Sequence, residues 1–204
     1  MKNPIILIAL NVLTAYTDIF MARNTKPLAI LLIGLIPFVA VNAANQDLIH
    51  VRLKDRLDRP DDGYCFDILG TGETLRVDLP LFVHNCKPFA TPDSAIIFTT
   101  KHQLVFPAAD VCVTAFGVNN TVLPGTSVLL RPCDERSAFY QAADLQKFDH
   151  EANGQLKLHG FDLCLAVGDE SSSTYSPHDR WRVLSLETCS SAIPSHSVWE
   201  MVPL

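Results

Sequence analysis

Six cysteines at regular intervals constrain this chain more than any other feature. Cys65 and Cys86 are 21 residues apart, Cys112 and Cys133 are 21 apart, and Cys164 and Cys189 are 25 apart. An even count at repeating spacing points to disulfides formed in an oxidising compartment, the periplasm or the cell exterior. The competing use of cysteine is structural zinc, which needs ligand pairs about two to four residues apart, a spacing absent here. Sequence alone leaves 15 pairings of six cysteines open. Repeat symmetry favours Cys65–Cys86, Cys112–Cys133 and Cys164–Cys189, each closing a loop of about 20 residues and contributing on the order of 3 kcal/mol.

Equal spacing predicts three equivalent units, and other positions repeat with the cysteines. Leu57, Leu104 and Leu156 each stand eight residues before a unit's first cysteine, and Phe66, Val113 and Leu165 follow it. Before the second cysteine, apolar residues recur two apart: Leu81 and Val83, Val128 and Leu130, Leu184 and Leu186. That period marks strands with one buried face. An aromatic closes each unit: Phe98, Phe148 and Trp199. Turn-forming clusters separate the strands, among them Gly70-Thr71-Gly72, Asn119-Asn120, Pro124-Gly125 and Asn153-Gly154. The segment from Ala142 to Phe148 is the nearest approach to a helical pattern and is short, while Ser171-Ser172-Ser173 reads as a flexible loop that lengthens the third unit. The expectation is an all-β fold in which three units close on one another and leave few sheet edges exposed.

The apolar weight lies at the N-terminus. Residues 21–43 have a basic start (Arg23, Lys26), an apolar run from Leu28 to Val41 and small residues around Ala43, the parts of a secretory signal peptide cleaved after Ala43. Residues 1–20, with a nine-residue apolar stretch from Ile5 to Leu13, read as an upstream extension. The competing reading of residues 1–43 is a pair of short membrane-anchoring segments. Without these residues the 16 basic and 22 acidic residues become 13 and 21, a net charge of −8. A secreted or periplasmic acidic domain spanning 44–204, with no stable membrane insertion once the leader is removed, is the expectation. So negative a chain lacks the clustered Lys and Arg that hold nucleic acid.

With cysteine pairs, apolar alternation and closing aromatics in place, the chain resembles the ricin B-chain type β-trefoil lectins over roughly residues 48–203. The repeats run at about 48–98, 103–148 and 155–203. The Gln-x-Trp motif that closes each unit in that family is represented by Gln146-Lys147-Phe148, Ser197-Val198-Trp199 and a much altered Ile96-Ile97-Phe98. The resemblance implies a β-trefoil of three disulfide-stapled repeats binding galactose-type glycans in shallow pockets, at most one or two of them active. In the family pattern, an aspartate two residues after the first cysteine accepts hydrogen bonds from sugar hydroxyls. Asp67 matches it, whereas the other units have Thr114 and Ala166. The stacking position two residues before the second cysteine holds His84, Arg131 and Glu187 instead of an aromatic. The Asn-Gln pair before the closing aromatic falls on Ala95-Ile96, Leu145-Gln146 and His196-Ser197. The carbohydrate-binding candidates are therefore Asp67, His84 and Gln146, with a charge-assisted hydrogen bond supplying direction. The plain alternatives are a turn carboxylate for Asp67 and a strand-edge residue for His84.

No Gly-x-Ser-x-Gly elbow, His-Glu-x-x-His or phosphate loop occurs, so neither catalysis nor a cofactor or metal is expected. His150 and His159 have no evident nucleophilic partner in the sequence. Two further functions compete with the lectin reading. One is a toxin accessory or cell-targeting subunit, which binds a toxin or cell-surface protein, as trefoils of this type do in cytolethal distending toxins. The other is a protease inhibitor that presents Arg180 from the loop 168–180.

Overall fold

The computed structural model describes residues 47–137 and 140–204; the extension and signal peptide expected at residues 1–43 lie outside the described residues. The order of elements is β1 (Ile49–Leu53), β2 (Tyr64–Asp67), β3 (Phe82–Asn85), β4 (Ile97–Phe98), β5 (Leu104–Phe106), β6 (Val111–Ala115), β7 (Thr126–Arg131), β8 (Arg136–Ser137), β9 (Tyr140–Gln141), β10 (Phe148–His150), β11 (Leu156–Leu158), β12 (Leu163–Val167), β13 (Ser172–Ser173), β14 (Arg180–Thr188), a single helical turn α1 (Pro194–Ser197) and β15 (Trp199–Pro203). The fold is all-β. No helix among the described residues is long and apolar enough to cross a membrane.

One antiparallel pattern recurs three times. Arg52 on β1 faces Cys65 on β2, Val105 on β5 faces Cys112 on β6, and Lys157 on β11 faces Cys164 on β12. On the other side Cys65 faces His84, Cys112 faces Arg131 and Cys164 faces Glu187. Disulfides join Cys65 to Cys86, Cys112 to Cys133 and Cys164 to Cys189, with Cα atoms 4.9 to 5.0 Å apart. The last strand of each unit then pairs with the first of another: β4 with β5, β10 with β11, and β15 with β1. The sheet thus curls until the final strand lies beside the opening one.

Alternation along these strands builds the core. Val51, Leu53, Phe66, Val83 and Ile96 from the first unit meet Leu104, Phe106, Val113, Leu130 and Phe148 from the second and Leu156, Leu158, Leu165, Leu186 and Trp199 from the third. Each large apolar side chain so buried contributes about 1.5–3 kcal/mol. Phe66 meets Trp199 edge to face at 4.8 Å, and the Trp199 indole donates to the Leu165 carbonyl, so the polar edge of the largest buried ring is satisfied.

Register corrects three expectations. Thirteen residues separate Arg52 from Cys65, against seven for the corresponding pairs in the other units. The extra six lie in the β1–β2 connection, and Leu57 falls within it at φ +50°, so the counterpart of Leu104 and Leu156 is Val51. Unit one is closed not by Phe98 but by Ile96: Trp199 pairs with Leu53 and Phe148 with Leu158, and continuing the β4–β5 ladder by one residue sets Ile96 opposite Phe106. Ile96 is fully buried, whereas Phe98 is only half-buried. Finally, Ser172 and Ser173 are not loose but pair with Trp181 and Arg180.

The nine-residue β14 breaks the threefold pattern. Its second half pairs with β12 inside unit three, while Trp181, Arg182 and Val183 pair with His84, Val83 and Phe82 of unit one. Arg182, 6% exposed, lies over the Tyr64 ring at 5.1 Å, donates to the Gly168 and Asp169 carbonyls and makes a 2.7 Å ion pair with Asp58. Burial alone would raise the Asp58 carboxyl, but hydrogen bonds from Arg182, Ser171 and Tyr64 hold it well below the usual carboxylate range. Loop 168–180 is thereby fastened across unit one.

Candidate functional site

Asp67 ends β2 opposite Phe82 and is 4% exposed, which excludes a freely solvated turn carboxylate. Lys87, the residue after Cys86, donates to Asp67 Oδ2 at 2.7 Å and to Asp93 Oδ2 at 2.5 Å. Two buried carboxylates therefore share one ammonium. Burial pushes the Asp67 carboxyl up to about 7, against the pull of Lys87, and the proximity of Asp93 adds to the rise. Lys87 itself is raised: burial lowers it, but the two carboxylates outweigh burial. Asp93 Oδ1 is buried and has no hydrogen-bond partner among the described residues.

Around this trio lies a pocket of about 340 Å³, walled by Asp67, Gly70, Phe82, His84, Lys87 and Asp93 of unit one and by Thr174, Tyr175 and Asp179 of the overhanging loop. Gly70 takes φ +100°, and a Cβ there would overlap the Thr74 carbonyl, so only glycine lets the wall turn so tightly. His84 reaches Thr174 at 3.4 Å; burial and then Lys87 lower its pKa, leaving the ring neutral near pH 7. Tyr175 is 95% exposed and lines the same pocket.

The corrected register explains why Asp93 escaped notice in the sequence. With Ile96 closing unit one, the pair preceding the closing residue is Asp93-Ser94, aligned with Leu145-Gln146 and His196-Ser197, and not Ala95-Ile96. Asp67 and Asp93 thus stand at two of the positions that the sequence resemblance singles out. The second residue of each pair is buried: Ser94 meets His50 at 3.2 Å, and Ser197 donates to the Ile193 carbonyl.

Gln146 is not brought to this pocket. It is fully buried in unit two; its amide donates to Thr114 Oγ1 and the Pro132 carbonyl and accepts from the Asp134 amide. Thr114 is the counterpart of Asp67, so in unit two the protein's own glutamine occupies the place, and the expectation that Gln146 contacts ligand finds no open polar atom. Unit three keeps a smaller pocket of about 230 Å³ around Ala166, Ser185, Glu187 and His196, without the carboxylate of Asp67. The three candidates therefore divide, Asp67 and His84 together and Gln146 apart.

Arg180 is likewise committed, its guanidinium donating to the Ser171 hydroxyl and carbonyl, which leaves it unsuited to enter a protease pocket. His159 and His102 each lie 2.8 Å from a different oxygen of Asp149, two imidazoles bridged by one carboxylate.

No protein-family model matches the chain, and no curated protein matches it in sequence. Among solved structures it is similar in fold to the solution structure of the mdaA-1 domain, with a TM-score of 0.55 and 12% identity, over 77% of this chain and 90% of that domain. The crystal structure of the Vibrio vulnificus hemolysin/cytolysin β-trefoil lectin, with N-acetyl-D-lactosamine bound, superposes at a TM-score of 0.48 and 12% identity, over 78% of this chain and 96% of that one.

Proposed function

We propose that this chain is an exported carbohydrate-binding protein of β-trefoil architecture whose sugar site lies in unit one. The observation that carries the reading is the meeting of Asp67, Asp93 and Lys87 in one pocket. Two carboxylates and an ammonium offer acceptors and donors in the density that vicinal hydroxyls require, and charge-assisted bonds to hydroxyls are strong and directional. Asp93 Oδ1, buried with no donor among the described residues, is the acceptor a ligand hydroxyl would complete after a small shift of Lys87. The neutral His84 ring and exposed Tyr175 supply flat surfaces for the apolar face of a sugar.

The three recurring ladders and the sequence resemblance support the trefoil reading, and three disulfides suit export through the leader at residues 21–43. Galactose-type glycans are the class to which the resemblance points. The test is a glycan array probed with the full chain, secreted through an oxidising compartment, beside Asp67→Ala of equal thermal stability. Saturable binding lost in the variant supports the reading; binding untouched by it, or none at all, rejects a site at Asp67.

A second reading, the protein-interaction or toxin accessory subunit, draws on Phe116, Val118 and Leu123, which stand 51%, 53% and 66% exposed within eight residues of one another. It predicts a stable partner recovered from the native source, lost on Phe116→Ser, with no response to glycans.

A further inference from the structure

Beside the polar pocket is a second one of very different character. Its volume is about 400 Å³, within the range of small-molecule sites, and its lining is almost entirely apolar: Leu79, Pro80, Leu81, Trp181, Val183 and Leu184, with Ser127 the one polar side chain it does not share with its neighbour. Leu69, Phe82 and Thr174 line both pockets. Phe82 joins them: its ring lies edge to face with Trp181 of the apolar pocket at 6.0 Å and with His84 of the polar pocket at 6.4 Å. Strand alternation sets Val183 outward at 51% exposure between the buried Arg182 and Leu184, and Leu69 is 38% exposed. Apolar side chains left open to water where a polar cluster ends form a surface with two chemistries in sequence.

We propose that the ligand is an amphiphilic glycoside, its sugar held by Asp67, Asp93 and Lys87 and an alkyl chain on its reducing end lying over Phe82 into the pocket between Trp181 and Val183. The inference rests on the carbohydrate reading of the polar pocket. Continuity selects the occupant: a free sugar would leave the apolar pocket wet, and a free hydrocarbon would have no use for two carboxylates and an ammonium one side chain away. A molecule joined across Phe82 satisfies both. Burial of the chain supplies affinity in proportion to its area, and hydroxyls on the carboxylates fix its orientation.

The experiment is calorimetry on the full chain, secreted and oxidised, with paired methyl and octyl glycosides of galactose, N-acetylgalactosamine, glucose and mannose, all below the micellar concentration of the octyl compounds. The expected result is that, for the sugar that binds, the octyl glycoside is at least roughly tenfold tighter than the methyl, with a more negative heat-capacity change. Val183→Asp removes that advantage and leaves the methyl glycoside affinity unchanged; Leu79→Asp, at a residue that lines the apolar pocket alone, is the second variant should Val183→Asp fold poorly. Equal affinities for a methyl and octyl pair overturn the amphiphile while leaving the sugar site standing. Failure of every glycoside to bind overturns both. An octyl advantage that survives in both variants also overturns the proposal, because the chain would then lie elsewhere. Added vesicles of phosphatidylcholine with and without the matching glycosphingolipid identify the source: capture only by glycolipid vesicles marks a membrane lipid, and no capture marks a soluble glycoside.

Discussion

The Lys87 ammonium lies 2.7 Å from the Asp67 carboxylate because the disulfide brings their neighbours together: Lys87 follows Cys86, and Asp67 stands two residues beyond Cys65. The cross-link that stabilises unit one also sets the geometry of its pocket. Replacing both Cys65 and Cys86 by serine should lower stability by on the order of 3 kcal/mol and weaken ligand binding, while the same change at Cys112 and Cys133 costs similar stability and spares binding. Urea unfolding and calorimetry on both double variants check this.

Removing Lys87 leaves two buried carboxylates without their cation. Lys87→Met should destabilise the protein by roughly 3 kcal/mol at pH 8, and by clearly less at pH 5, where the carboxyls can accept protons. Unfolding midpoints of the variant at the two pH values measure the difference; an equal loss at both would show that packing, not charge, holds Lys87 in place.

Asp67 carries a pH signature. Its folded pKa of about 7 lies above the unfolded carboxylate value near 4, so between those values the folded state binds the extra proton. This group's contribution therefore falls as pH rises from about 4 to 7 and is constant on either side. Asp67→Asn should flatten that part of the stability profile. Affinity for a sugar whose hydroxyl donates to the Asp67 carboxylate should rise from pH 6 to pH 8 in the native protein and stay level in Asp67→Asn.

Arg182 fastens the unit-three loop over unit one. Arg182→Met should cost about 2–3 kcal/mol, since it takes one of three donors from Asp58 and removes the guanidinium from two carbonyls, and should loosen the wall formed by Thr174 and Tyr175. Arg76→Ala is the control: its ion pair with Asp78 is more than half exposed on both sides, and its removal should leave the unfolding midpoint essentially unchanged. Thermal unfolding compares the two directly.

Much of the architecture was legible because its signals are local and repeated. Apolar residues two apart before each second cysteine could serve only strands with one buried face, and those strands form. Unit one was the least legible. Its six-residue insertion moved Leu57 into the place that belongs to Val51, and a preference for an aromatic drew attention to Phe98 when a fully buried isoleucine, Ile96, does the closing. That two-residue misreading hid Asp93. Counting back from Ile96, instead of from the nearest aromatic, would have found it. Lys87 carried a weaker signal, a cation beside a cysteine. Tyr175 and Asp179 carried none, because they reach the pocket through the pairing of β14 with β3, a contact between residues about a hundred positions apart. Gln146 matched the motif by sequence but spends its amide within unit two.

The central claim is that a sugar enters at Asp67 and nowhere else in the three units. A titration of the nitrogen-15-labelled, oxidised protein with the glycan that the array selects tests it most directly, by following backbone amide shifts. The account predicts saturable shifts clustered at Asp67, Gly70, His84, Lys87, Asp93 and Tyr175, with Thr114, Gln146, Ala166 and Glu187 unmoved. Saturable shifts at Ala166 and Glu187 or at Phe116 to Leu123 in place of that cluster, or no saturable shift anywhere, would contradict it.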